Sequence, residues 1–188
     1  MDDELIEMVV ESVRVHMLSS RHVVILKESG RERYLPIWIG TWEASAIAMR
    51  LQGLTPERPL THDLFASTLE AVGGEVERVV ISELAEETFH ARLIVVRDGE
   101  RHEIDARPSD ALALAVRVGA RIFASPAVLE QAALGGDGGL GDDSEEGLAG
   151  SVLEQTGERI VDPRLDVFRQ FVNSLDAEAE GGSEGRSS

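Results

Sequence analysis

The segment Pro108 to Val118 is apolar almost all the way round, with Ala111, Leu112, Ala113, Leu114, Ala115, Val116 and Val118 on every side of an expected helix. A helix with no polar face must be buried. It follows directly on a strand-like run, Glu100 to Asp105, and the junction carries Asp105, Arg107 and Asp110. Charges this close to a segment that must enter a core need a structural or a chemical reason. A second run, Pro59-Leu60-Thr61-His62-Asp63-Leu64, has the same form: polar residues opening an amphipathic helix.

The other elements follow from period and punctuation. Leu5 to Met17, His22 to Lys27 and Tyr34 to Ile39 read as strands, the last two joined as a hairpin through Glu28-Ser29-Gly30-Arg31. Thr41 is placed to cap a helix carrying Ala44, Ile47, Ala48 and Leu51. The helix opened by Thr61 ends at Gly73-Gly74. Glu75 to Leu84 and Thr88 to Arg97 alternate as strands, and Asp98-Gly99 is a hairpin turn leading into Glu100 to Asp105. Ile122-Phe123 is a short strand, and Pro126 to Ala133 a short helix. Hairpins dominate and strands do not alternate regularly with helices, so the expected class is α+β with a largely antiparallel sheet.

Composition divides the chain. Residues 1–134 suit one globular domain. Residues 135–160 are rich in glycine and acids and read as a flexible linker. Residues 161–177 open on Asp162-Pro163 and carry Leu165, Phe168, Phe171, Val172 and Leu175 as a helical stripe; residues 178–188 read as a tail. The net charge is −17, about half of it beyond residue 134, which disfavours polyanions over most of the surface. There is no cysteine, which excludes disulfides, thiolate metal sites and cysteine nucleophiles. An acidic start and no long apolar run lead to the expectation of a cytoplasmic protein without membrane spans. No phosphate-binding loop or dinucleotide fingerprint is present. Tyr34, Trp38 and Trp42 gather near one strand–helix junction, where core or interface packing is favoured over base stacking.

Two readings of the polar clusters compete. As a hydrolytic site, Glu43, Asp63, Asp105 and Asp110 would hold Mg²⁺ or Mn²⁺ through oxygens, His62 would move protons, and Arg107 would clamp a phosphate. As structure, Glu43, Asp63 and Asp110 complement helix dipoles, and Asp105, at least partly buried, pairs with Arg107. The second reading makes the chain a non-catalytic regulatory or protein-interaction module.

Four stretches carry a resemblance beyond spacing. These are Leu35-Pro36-Ile37-Trp38-Ile39-Gly40, Glu43-Ala44, Arg58 to Leu64, and Ile104 to Ala111. In this order and at these separations the chain resembles bacterial members of the bifunctional nuclease domain family over roughly Leu5 to Ala133. The resemblance implies an α+β fold, a homo-oligomer and cleavage of DNA and RNA. It directs attention to the matching polar positions Glu43, Thr61, His62, Asp63, Asp105, Arg107, Ser109 and Asp110. The resulting assignment is catalysis by His62, Asp63, Asp105, Arg107 and Asp110, with substrate contacts from Thr61, Arg107 and Ser109.

Overall fold

The computed structural model describes residues 5–16 and 21–135. The expected linker, C-terminal helix and tail lie outside the described residues. The chain runs β1 (Ile6–His16), β2 (Arg21–Glu28), β3 (Tyr34–Ile39), α1 (Thr41–Leu51), α2 (Thr61–Ala71), β4 (Gly74–Ala85), β5 (Thr88–Arg97), β6 (Glu100–Ala106), α3 (Pro108–Val118), β7 (Arg121–Ala124) and α4 (Pro126–Ala132). This is an α+β fold, as the hairpin-rich pattern predicts.

The strands form one sheet in the order β3-β2-β1-β7-β4-β5-β6. Every neighbouring pair is antiparallel except β4 and β7. The short strand β7 therefore joins two antiparallel halves, and α3, lying between β6 and β7 in sequence, has to cross the sheet to connect them. Asp98 and Gly99, both at positive φ, make the tight turn between β5 and β6.

Helix α3 is the centre of the core. Ala111, Leu112, Ala113 and Ala115 are all but inaccessible, packed with Val79, Ile81, Leu93 and Val95 of the sheet and Ala44 and Ile47 of α1. Leu69 and Ala66 of α2 and Val128 and Leu129 of α4 join the same cluster. The apolar circumference read from sequence is thus explained by neighbours on several sides. Gly119, at φ 72°, ends α3 in the left-handed conformation. One expected cap is not formed: Gly40 holds the cap position of α1, and Thr41 is already the first helical residue.

Register sorts the β6 side chains, because cross-strand partners share a face. Ala106 stands opposite Ala91 and Ile104 opposite Leu93, on the face that carries the helices. Asp105 stands opposite Arg92, Arg92 opposite Val80, and Val80 opposite Phe123, all on the other face.

Candidate functional site

The starts of α1, α2 and α3 are brought together by one chain of polar contacts. His62 Nε2 lies 3.2 Å from Asp110 Oδ1. Arg107 donates from Nε to Asp110 Oδ2 at 2.7 Å and from Nη2 to Glu43 Oε1 at 3.0 Å. His62, Asp110, Arg107 and Glu43 are separated by up to 67 residues in sequence, yet they form a continuous line. Each is delivered by backbone logic: Arg107 is the cap residue of α3, and Glu43, Asp110 and His62 sit in the first turns of their helices.

Asp110 is partly buried, which pushes its carboxyl upward, but Arg107 and His62 outweigh this and hold it below the usual aspartate range. The same contacts, Asp110 first and Glu43 second, raise Arg107 further. Arg107 is 66% exposed, and its Nη1 has no hydrogen-bond partner among the described residues. The cluster therefore presents a fixed guanidinium edge to solvent.

Gly40 has its own part in this geometry. A Cβ at that position would overlap the Glu43 carboxylate, so a residue without a side chain lets Glu43 fold back beside the end of β3 and meet Arg107.

Asp63 belongs to a separate contact. Its Oδ2 accepts the Leu60 backbone N–H at 2.9 Å, and its Oδ1 accepts Arg117 Nε at 2.7 Å. Burial pushes Asp63 upward, but the Leu60 N–H and Arg117 together bring its pKa below the usual value. Arg117 is only 7% exposed and also donates to Ala113 O at 2.8 Å and Ala46 O at 3.2 Å. Sequence reasoning missed Arg117. It is the one charge in the last turn of an otherwise apolar helix, and that isolation was the available signal.

The remaining expected residues are dispersed. Thr61 is exposed on the first turn of α2. Ser109 is buried at 7% exposure. Asp105 departs most from expectation. It is exposed rather than partly buried, and it makes no ion pair with Arg107, which pairs with Asp110 and Glu43 instead. The reason is the two-residue period of β6. Asp105 points to the sheet face opposite the helices, and the chain turns into α3 only after Ala106.

The four carboxylates do not converge as a metal centre. Among the described residues no group of three or more His, Asp or Glu stands where it could hold an ion. Arg107 occupies the space between Glu43 and Asp110, Arg117 holds Asp63, and Asp105 lies across the sheet.

Two grooves flank the cluster without containing it. One, of about 730 Å³, runs between α2, the end of α3 and the start of β4; the other, of about 380 Å³, lies under the loop before α2. Asp63 and Arg117 line both, whereas His62, Arg107, Asp110 and Glu43 line neither. Enclosure is what a small ligand needs.

The fold and this helix-start cluster define an α+β domain with a polar cluster from which Arg107 reaches solvent. A model of the bifunctional nuclease domain matches residues 24–135, and the chain belongs to that family. It is also similar to two uncharacterized proteins of Mycobacterium tuberculosis, MT1877 of strain CDC 1551 / Oshkosh and Rv1829 of strain ATCC 25618 / H37Rv. Each is 40% identical over 169 residues, covering 90% of this chain and 94% of the relative. The likeness therefore continues past the family domain into the C-terminal segment. No helix among the described residues is long and apolar enough to cross a membrane.

Proposed function

We propose that this protein hydrolyses phosphodiester bonds of DNA or RNA at the surface line His62–Asp110–Arg107–Glu43. The observation that carries the reading is a histidine oriented by a carboxylate, next to an exposed guanidinium fixed at two of its nitrogens, in a member of a nuclease family. With His62 donating from Nε2 to Asp110, Nδ1 is left as the acceptor that takes a proton from the attacking water. Arg107 Nη1 engages a non-bridging phosphate oxygen, and Thr61 contacts the backbone of the bound strand. The water oxygen bonds to phosphorus, the bond to the leaving sugar oxygen breaks, and that oxygen takes a proton from solvent. Asp63 positions the start of α2. The Mg²⁺ or Mn²⁺ suggested by the carboxylates does not fit their arrangement, in which Arg107 pairs with Glu43 and Asp110 and Arg117 with Asp63.

The test is cleavage of single- and double-stranded DNA and RNA by the purified full chain, without added metal and with Mg²⁺ or Mn²⁺. Cleavage should fall at least about 100-fold in His62→Ala, the scale of losing a general base. Equal cleavage by parent and His62→Ala would sink the assignment. Asp105→Asn separates the sequence expectation from this arrangement: full activity places the chemistry at the helix starts.

A second reading has its own support. Every carboxylate at the helix starts is paired with an arginine: Glu43 and Asp110 with Arg107, Asp63 with Arg117. A purely structural network would make these residues matter for folding alone, in a module that binds without cleaving. Self-association is part of either proposal. Helix α2 buries no residue fully and exposes Leu64 and Phe65, and Trp42 on α1 is 78% exposed rather than packed. Sedimentation of the full chain and of Leu64→Glu tests that surface.

A further inference from the structure

The fold uses most of its aromatic side chains internally. Tyr34, Trp38, Phe89 and Phe123 are partly buried. Lys27 lies over Tyr34, Arg21 over Trp38 and Arg121 over Phe123, while Phe89 packs on the core. Among the described residues, Trp42 and Phe65 are the only Phe, Tyr or Trp side chains that are exposed, at 78% and 46%. A large ring left in water forgoes the burial that ordinarily stabilises it, so the position of these two needs a reason.

They stand at the two ends of the polar line. Trp42 directly precedes Glu43, whose Oε1 accepts from Arg107 Nη2 at 3.0 Å. Phe65 follows His62 by three residues, so the two side chains are neighbours on one side of α2. Helices α1 and α2 each pack against α3, at whose start Arg107 sits. At the usual spacing of about 8–10 Å between packed helices, the helix starts that carry the rings flank the guanidinium. His62 and Glu43 themselves are largely covered, whereas Arg107 reaches solvent. The groups offered to a ligand therefore run ring, guanidinium, ring.

A nucleic-acid strand has the matching order of base, phosphate, base. We infer that Trp42 and Phe65 each stack an unpaired base, on either side of a phosphate held by Arg107 Nη1, a reading that rests on the proposed phosphodiester site. Charge alone would hold a strand poorly here. The chain carries a net −17, and Glu43 and Asp110 already take two of the Arg107 nitrogens. Stacking supplies what charge does not, and it accepts any base because every base has a π-face. Bases inside a duplex have both faces covered, so the ligand is a strand with unpaired bases.

The full chain tests this with binding and cleavage read separately. In a His62→Ala background, fluorescence anisotropy follows binding of a short end-labelled oligothymidylate. Adding Trp42→Ala or Phe65→Ala should weaken binding about tenfold, the scale of one lost stacked base, and Trp42→Phe should restore most of it. A strand of equal length with abasic sites in place of its bases should bind about tenfold or more weakly and be indifferent to Trp42→Ala. With one phosphate contact, log affinity should fall against log salt with a slope of about −1 or shallower. In the cleaving protein Trp42→Ala should raise KM about tenfold and leave kcat within about twofold. Equal binding of the abasic strand, or affinity unchanged in both Ala variants, overturns the inference and leaves the hydrolytic reading standing. A second copy of the chain would cover the same rings. Altered sedimentation of Trp42→Ala with strand binding unchanged overturns the inference and assigns them to that contact. Equal cleavage by parent and His62→Ala, with binding that still requires the bases and both rings, sinks the hydrolytic step and supports the stacking.

Discussion

Arg117 Nε donates to Asp63 Oδ1 across 2.7 Å, from a side chain with 7% exposure. The same guanidinium reaches Ala46 O on α1 and Ala113 O on its own helix. One buried cation thus ties together the three helices whose first turns build the polar line. Arg50 assists from outside, donating to Val116 O and Arg117 O at the carboxyl end of α3, where a positive charge is favoured. The helix starts are held from behind by one arginine and joined in front by another.

Removing the buried arginine should therefore be costly. Arg117→Met leaves Asp63 without its main partner and two carbonyls without donors, and should destabilise the domain by about 3–5 kcal/mol. Arg117→Lys should recover little of this, because a single ammonium cannot serve three helices in the same geometry. Urea unfolding followed by circular dichroism measures both. A loss below about 1 kcal/mol would show the contact to be dispensable.

Arg107 should behave in the opposite way. Its ion pairs are largely exposed, so Arg107→Gln should cost about 1 kcal/mol or less in unfolding free energy. If Arg107 clamps a phosphate, the same substitution should reduce cleavage by a much larger factor, on the order of tenfold to a hundredfold. A variant that loses stability and activity in proportion would favour the structural-network reading.

Gly40 and Glu43 should be energetically coupled. In Gly40→Ala the new methyl displaces the Glu43 carboxylate and with it the contact to Arg107. In a Glu43→Ala background that displacement has nothing to break. A double-mutant cycle should give a coupling of about 0.5 kcal/mol or more, the scale seen for residues in contact. Additive effects would mean that Glu43 relaxes without releasing Arg107.

Acid should unfold this domain partly through Asp63 and Asp110. Both carboxyls are held below the usual range in the folded state. The unfolded chain, with aspartates near about 3.9, then binds more protons in acid, so stability rises with pH across that window. Their contribution is complete above the unfolded value and disappears as pH falls through the lower folded value. Urea midpoints should be flat from pH 7 to about 5 and fall below about 4. Asp63→Asn should lower stability at pH 7 and make the acid-side slope shallower; an unchanged slope would contradict the assignment.

Much of the fold was legible because it rests on local period. The apolar circumference of Pro108 to Val118 dictated burial, Asp98-Gly99 dictated its turn, and alternation marked β4 and β5. The helix starts at Glu43, His62 and Asp110 were equally local, so the place of these residues in helix first turns was legible as well. Which groups would touch was not local. His62 and Asp110 are 48 residues apart, and Arg107 and Glu43 are 64 apart. Only the packing of α1 and α2 against α3 closes those distances.

Asp105 and Arg117 mark the boundary between the two kinds of information. Asp105 was singled out by its position beside a core helix, but the strand period turns it to the far face, and only the register with Arg92 reveals where that face lies. Arg117 was passed over because nothing in its neighbours names a partner; three helices had to meet before its donors found Asp63, Ala113 and Ala46. The sequence by itself determined the elements, the buried helix and the polar first turns, since these depend on the chemistry of adjacent residues. The tertiary structure decided which carboxylate pairs with which arginine and which face of the sheet each charge serves, since those depend on register and packing between segments far apart in the chain.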